Sequence, residues 1–265
     1  MTLSSESIIQ EACSTALKSG HSRKDSDIPG EYQTLPFSTV IAFLVLGRKY
    51  QISHLRQSAV TRMMYAFPSD LKEFEIHRHS RVFEKMSTSD LLGLANHLRE
   101  QELLVCLPAA LFLCVHLHDI KHLSLLDSVQ KSPYWQPRLS VQDLKLCISG
   151  HQELCKLTIS HTLAWLRPSQ KNPDYCRQAS NSQFISVSVC SRVRINLYNT
   201  IFDPLPPCNP FLLWNAEWGK GFCDPCKVAM QTAHTAGRQA VWDKLPGLFE
   251  LPNWDELKTK WSTVS

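Results

Sequence analysis

The chain has 265 residues, of which 43% are hydrophobic and 20% charged, proportions typical of a globular protein with a sizeable core. Its formal charge of +4 comes from 28 basic and 24 acidic residues interleaved along the sequence, so we expect no nucleic-acid partner. No apolar run approaches the roughly 18 residues of a membrane-spanning helix and no export signal opens the chain, so we expect an intracellular protein without a membrane partner.

Apolar residues recur mainly at helical spacing, which predicts a mainly α-helical bundle with little or no sheet. Residues 1–31 are rich in Ser, Lys, Asp and Gly and predict a flexible segment, with a short helix at most near 8–17. Capping residues and proline breaks then delimit six helices, at 37–45, 53–65, 89–100, 104–118, 140–148 and 153–166. The run FISVSVC at 184–190 fits a strand and a helix equally well.

Three stretches of sequence together carry a family resemblance. The first, YQTLPFSTVIAFLVLGRKYQISHLRQSAVTRMMYAFP, contains an apolar helix, the turn LGRKYQI and a second helix begun by SHLRQSA. It is followed by LREQELLVCLPAALFLC and, near the C-terminal end, by WNAEWGKGFCDPCKVAMQTAHTAGRQAVWDKLPGLFELPNWDEL. In this order they resemble the last two helices of a BTB/POZ domain and the helical region that follows it in proteins of basidiomycete fungi.

The resemblance implies three parts: a flexible segment at 1–31, partial BTB/POZ-like and following helices at 32–130, and a C-terminal helical region at 131–265. The strands and helix of the N-terminal half of a BTB domain have no counterpart in 1–31, so we expect either a truncated domain or a degenerate member of the family. Its function would be non-enzymatic protein–protein interaction, with a protein partner or by self-association. The missing half would leave apolar helix faces uncovered, and the expected contact residues are Phe37, Val40, Leu44 and Leu55.

Ten cysteines without an export signal indicate thiols or metal ligands in preference to a disulfide framework. Cys223 and Cys226 form a Cys-x-x-Cys pair that can bind one tetrahedral zinc ion from a single turn, which Pro225 makes rigid. A closed structural site needs two further ligands, and the candidates are Cys176, Cys190, Cys208 and His234. The alternative is a pair of reduced thiols that pack as small apolar groups. A structural-zinc module, acting in transcription regulation, is therefore the alternative function.

Two further groups of residues have both a structural and a functional interpretation. Cys114, His118 and His122 are spaced four apart, which suits a metal, but the segment is more typical of the end of an apolar helix. The tryptophans of the C-terminal region are expected to form one compact core in preference to an aromatic ligand cage: Trp214, Trp218, Trp242 and Trp254.

Motifs of common enzyme classes are missing from the sequence. It contains no Gly-rich phosphate loop, no His-Glu-x-x-His and no Gly-x-Ser-x-Gly, and it has only nine glycines. We therefore expect no enzymatic activity and assign no catalytic or cofactor-binding residue.

Overall fold

A computed structural model describes residues 34–77, 83–84, 88–117, 139–167, 176, 188–203, 205 and 207–264. Over these ranges the chain is mainly helical, which confirms the predicted fold class. The described residues form two compact units, one up to Lys145 together with the segment from Trp254 onward, the other from Leu146 to Asn253. The first unit thus extends beyond the expected boundary at 130, and it includes the C-terminal helix that begins at Trp254. The helix expected near 8–17 lies outside the described residues.

The first unit begins with a two-residue strand β1 (Leu35–Pro36), which pairs in parallel with β2 (Phe83–Glu84). Its helices are α1 (Phe37–Lys49), α2 (Ser53–Ala66), α3 (Leu71–His77), α4 (Thr88–Glu100), α5 (Leu107–Leu117) and the C-terminal helix α9 (Trp254–Val264). A 3₁₀ turn at Leu104–Cys106 leads into α5. Four of the six predicted helices thus lie in this unit, and their observed ends fall within a few residues of the predicted ones.

Helices α1 and α2 pack closely against each other. A Cβ atom at Gly47 would lie 2.7 Å from the backbone nitrogen of Arg56, so only glycine allows this approach. Gln51, in the short turn between the helices, has a φ of 55°. The two helices contribute Val40, Leu44, Ala59 and Met63 to the core, all of them fully buried.

The residues expected to contact a partner are largely inside this unit, which corrects the idea of an uncovered apolar face. Val40 and Leu44 are 0% exposed and Phe37 is 8% exposed, while Leu55 is half-buried. The ring of Phe37 meets the ring of Phe83 edge to face, with centroids 5.5 Å apart. Strand β2 therefore covers part of the apolar face of α1.

The helix α6 (Val141–Leu157) contains the boundary between the units, and its first turn is anchored in the first unit. The backbone N–H of Asp143 donates to Ser140 Oγ at 3.0 Å, and Ser140 Oγ donates to Asp143 Oδ2 at 2.9 Å, a reciprocal N-terminal cap. The Arg99 guanidinium of α4 donates to both oxygens of the same carboxylate, through Nε at 3.1 Å. Asp143 is fully buried, so this ion pair fixes the start of α6 against α4.

The second unit continues α6 into a π turn (Thr158–Thr162) and a 3₁₀ turn (Ala164–Leu166). It also contains α7 (Val189–Phe202), a 3₁₀ turn (Ala216–Gly219) and the long helix α8 (Asp224–Leu248). The expected break between 148 and 153 is wrong: α6 runs through Gly150, where a Cβ would lie only 3.0 Å from the ring of Phe249. The glycine at this position serves packing and does not end the helix.

Helix α8 lies directly on the π turn. A Cβ at Gly237 would lie 2.3 Å from the carbonyl oxygen of His161, so the helix backbone approaches the turn as closely as glycine permits. Thr162 Oγ1, fully buried, donates to the carbonyl of Pro210 at 2.7 Å and ties the turn to the segment before the tryptophans. Among the helices in the described part of the chain, none has the length and apolar character needed to cross a membrane.

Candidate metal centre

Four cysteines of the second unit converge on one point. They are Cys176, Cys190, Cys223 and Cys226, and their Sγ atoms all lie within 4.8 Å of one another. All four are thiols, three of them buried and Cys223 half-buried. Three separate parts of the chain therefore meet at the cluster: Cys176, the start of α7 and the start of α8.

Local sequence explains how two helices bring three of these thiols together. Cys190 is the second residue of α7, whose N-cap residue Ser188 accepts a hydrogen bond from the backbone N–H of Ser191 at 3.1 Å. Cys223 is the N-cap residue of α8 and Cys226 lies in its first turn, with Pro225 at a position that suits proline. Both helix N-termini carry partial positive charge, which favours thiolates over thiols.

The spacing of the sulfurs matches the geometry of a tetrahedral metal–thiolate centre. Cys176 Sγ and Cys223 Sγ lie 3.9 Å apart. Zinc–sulfur bonds of about 2.3 Å in a regular tetrahedron place any two sulfurs about 3.8 Å apart. The backbone N–H of Cys223 also donates to Cys190 Sγ at 3.4 Å, a contact that stabilises negative charge on the sulfur.

The electrostatic environment of the cluster includes a buried cation. Burial raises the pKa of both Cys190 and Cys226, so without a metal these groups stay protonated at neutral pH. Arg194, one turn after Cys190 on α7, is only 2% exposed. Burial lowers the pKa of its guanidinium, and attraction to Cys226 and Cys190 partly offsets that effect. The arrangement would favour a set of thiolates held by a metal ion.

Two of the residues expected as ligands lie elsewhere. Cys208 forms a disulfide with Cys155 and is not part of the four-cysteine cluster. His234 is fully buried with both ring nitrogens engaged: Trp165 Nε1 donates to Nδ1 at 3.2 Å, and Nε2 donates to the Leu212 carbonyl at 2.9 Å. The cluster is completed by Cys190 instead. The site expected from the sequence was Cys223 and Cys226 with Cys176, Cys208 and His234, so that set left out Cys190. Nothing in the spacing of the upstream cysteines shows which of them the fold brings near the Cys-x-x-Cys pair.

The tryptophans do not form one core. Trp214 and Trp218 surround His234 together with Trp165, each ring centroid 5.6 to 6.2 Å from that of the imidazole. Trp242 packs separately against Phe211, and Trp254 belongs to the first unit. The space that an aromatic ligand cage would offer is filled by His234, whose pKa is lowered by burial, so its ring is neutral and apolar in character.

The described residues give no support to the candidate metal site formed by Cys114, His118 and His122. Cys114 is fully buried and its thiol donates to the Leu91 carbonyl at 3.5 Å, so it faces the core of the first unit. His116 stacks on Phe112 with centroids 5.4 Å apart. His118 and His122 lie outside the described residues.

No protein-family model matches the chain, and no curated protein or solved structure matches it significantly. The resemblance to the BTB/POZ family therefore stays a prediction from the sequence motifs. The geometry of the four-cysteine cluster is the main guide to what the second unit does.

Proposed function

We propose that the second unit is a structural-zinc module, in which Cys176, Cys190, Cys223 and Cys226 hold one Zn²⁺ ion. The observation that carries this proposal is the convergence of four thiols, all within 4.8 Å of one another, from three separate segments of the chain. Four sulfur ligands at this spacing are the donor set that structural zinc prefers.

The buried charge of Arg194 supports metal binding over four neutral thiols. A zinc ion with four thiolates carries a net charge of about −2. A buried guanidinium beside Cys190 and Cys226 is stabilised by such an anion and gains much less from protonated thiols. The two helix N-termini act in the same direction.

Four protein ligands would leave the ion no open coordination position, so its role would be structural and not catalytic. The ion would connect the region of Cys176 to the starts of α7 and α8, and its binding free energy would add to the stability of the unit. Interaction with a protein partner and a part in transcription regulation remain predictions. Of the residues expected to contact a partner, Phe37, Val40 and Leu44 are buried and Leu55 is half-buried.

The proposal is tested by measuring zinc in the purified chain and in two matched variants. Cys190→Ser removes a proposed ligand, whereas Cys147→Ser changes an equally buried cysteine of the same unit outside the cluster. We expect about one zinc per chain in the wild type and in Cys147→Ser, and its loss in Cys190→Ser.

A second measurement covers the case in which Cys190→Ser does not fold. Removal of the metal from the wild type with a chelator should lower the melting temperature, and added Zn²⁺ should restore it. The proposal would be refuted if the wild-type chain is folded without zinc and its melting temperature changes neither with the chelator nor with added Zn²⁺.

A further inference from the structure

A second group of metal-ligand side chains lies in the same unit and shares no residue with the four-cysteine cluster. It consists of His151, Cys155 and Cys208, whose ligand atoms lie within 4.8 Å of one another. His151 and Cys155 are four residues apart on α6, so both point from the same face of the helix. Cys208 approaches that face from the segment between α7 and the tryptophans.

In the structure two of these residues are joined as the disulfide Cys155–Cys208. His151 Nδ1 lies 3.9 Å from Cys155 Sγ, and Cys208 Sγ lies 3.7 Å from the backbone oxygen of His151. All three residues are half-buried, so a small reductant and a hydrated ion can reach them from solvent. The other cysteines of the described chain are thiols, which makes this bond the exception among them.

We propose that these three residues form a second, redox-gated metal site, which is closed while the disulfide is intact and binds Zn²⁺ once it is reduced. The gating step is a thiol–disulfide exchange. A small dithiol gives up two electrons and two protons, becomes a cyclic disulfide, and leaves Cys155 and Cys208 as thiols. Zn²⁺ then displaces the two thiol protons into solvent, while His151 binds as the neutral imidazole.

The donor set fits a borderline-soft divalent ion. Two thiolates and one imidazole are ligands that zinc accepts at ordinary distances, and the two negative charges neutralise the ion. Three protein ligands leave one position for water or an external ligand, in contrast to the closed four-cysteine site. The helix holds His151 and Cys155 at a fixed spacing, so only the segment that carries Cys208 has to adjust when the sulfur–sulfur bond opens.

The test compares zinc content before and after reduction of the full-length chain. The chain is treated with dithiothreitol without oxygen, freed of reductant, loaded with Zn²⁺ and exposed to a competing chelator. We expect reduction to add about one equivalent of retained zinc per chain. His151→Ala should lose that added equivalent, and His161→Ala, which removes another half-buried imidazole of the same unit, should keep it.

The test measures the increase in retained zinc on reduction and not the total zinc content. Zinc that is already bound by the four-cysteine site therefore does not affect the result. An unchanged zinc content after complete reduction would overturn the proposal, as would an increment that persists in His151→Ala. The double variant Cys155→Ser/Cys208→Ser should show no increment, and circular dichroism checks that it keeps its helices. The chain could retain no zinc before reduction and one equivalent after it, with that equivalent absent from His151→Ala. This result would support the site at His151 and refute the four-cysteine site.

Discussion

A methyl group added at Gly237 would meet the backbone of the π turn, and Gly237→Ala therefore tests how closely α8 is packed. The new Cβ would lie 2.3 Å from the carbonyl oxygen of His161, 2.7 Å from its carbonyl carbon and 3.0 Å from the Cα of Thr162. Contacts between such atoms are favourable only beyond roughly 3.5 Å, so the helix and the turn must separate by about 1 Å. Both partners are backbone, and neither can avoid the clash by changing rotamer.

Two opposing effects set the size of the change. Overpacking of a tight interior costs about 1–3 kcal/mol, and contact with backbone places this site at the upper end. Alanine gains about 0.5–1 kcal/mol over glycine in a helix interior. We therefore expect Gly237→Ala to lower the free energy of unfolding by about 2 kcal/mol.

Urea unfolding followed by tryptophan fluorescence and circular dichroism measures this difference. Gly247→Ala is the matched control, because it adds the same methyl group to the same helix at a position where nothing beyond the adjoining turns of the helix lies within 4 Å of the new Cβ. This substitution should leave the free energy of unfolding unchanged or raise it by less than about 1 kcal/mol. Equal effects of the two substitutions would refute the close packing of α8 on the π turn.

Three further predictions concern buried polar groups. Arg194→Met should weaken zinc binding by about tenfold in a chelator competition, because it removes the cation beside the thiolates, whereas exposed Arg192→Met should not. Burial raises the pKa of Cys106 from 9.0 to about 12, so its contribution to stability is present below pH 9 and is lost as the pH rises above that value. The stability advantage of the wild type over Cys106→Ala should shrink by about 1.4 kcal/mol between pH 8 and pH 10, and a constant difference would contradict the shift. Asp143→Ala should cost about 1.5 kcal/mol in urea unfolding, because α6 loses a capping partner and the Arg99 side chain, which is 35% exposed, loses an ion-pair partner that water partly replaces; a loss of less than about 0.5 kcal/mol would contradict the role of this ion pair.

Helical periodicity predicted most of the described fold. Helices α1, α2, α4 and α5 appear where apolar spacing, capping residues and prolines placed them. The predicted helix break near Gly150 is wrong, because the sequence does not distinguish a glycine that packs against an aromatic ring from a glycine that ends a helix. At 188–190 the ambiguous run opens a helix, since the Ser188 cap decides between two conformations that apolar composition left equal.

The candidate site was predictable only in part. Cys223 and Cys226 were identifiable from their spacing, since two ligands of one turn are neighbours in sequence. The choice of Cys176 and Cys190 as the other two depends on how α7 and α8 meet, which is a long-range property of the fold. The signal that sequence reasoning missed is local: Arg194 lies one turn beyond Cys190, and Cys155 one turn beyond His151.

Elemental analysis of the folded chain, purified without added thiol or chelator, measures whether the four-cysteine cluster holds a zinc ion. We expect about one zinc per chain, which is retained through gel filtration and lost when Cys190 is replaced by serine. A well-folded wild-type chain that contains no zinc and takes up none when Zn²⁺ is supplied would contradict it.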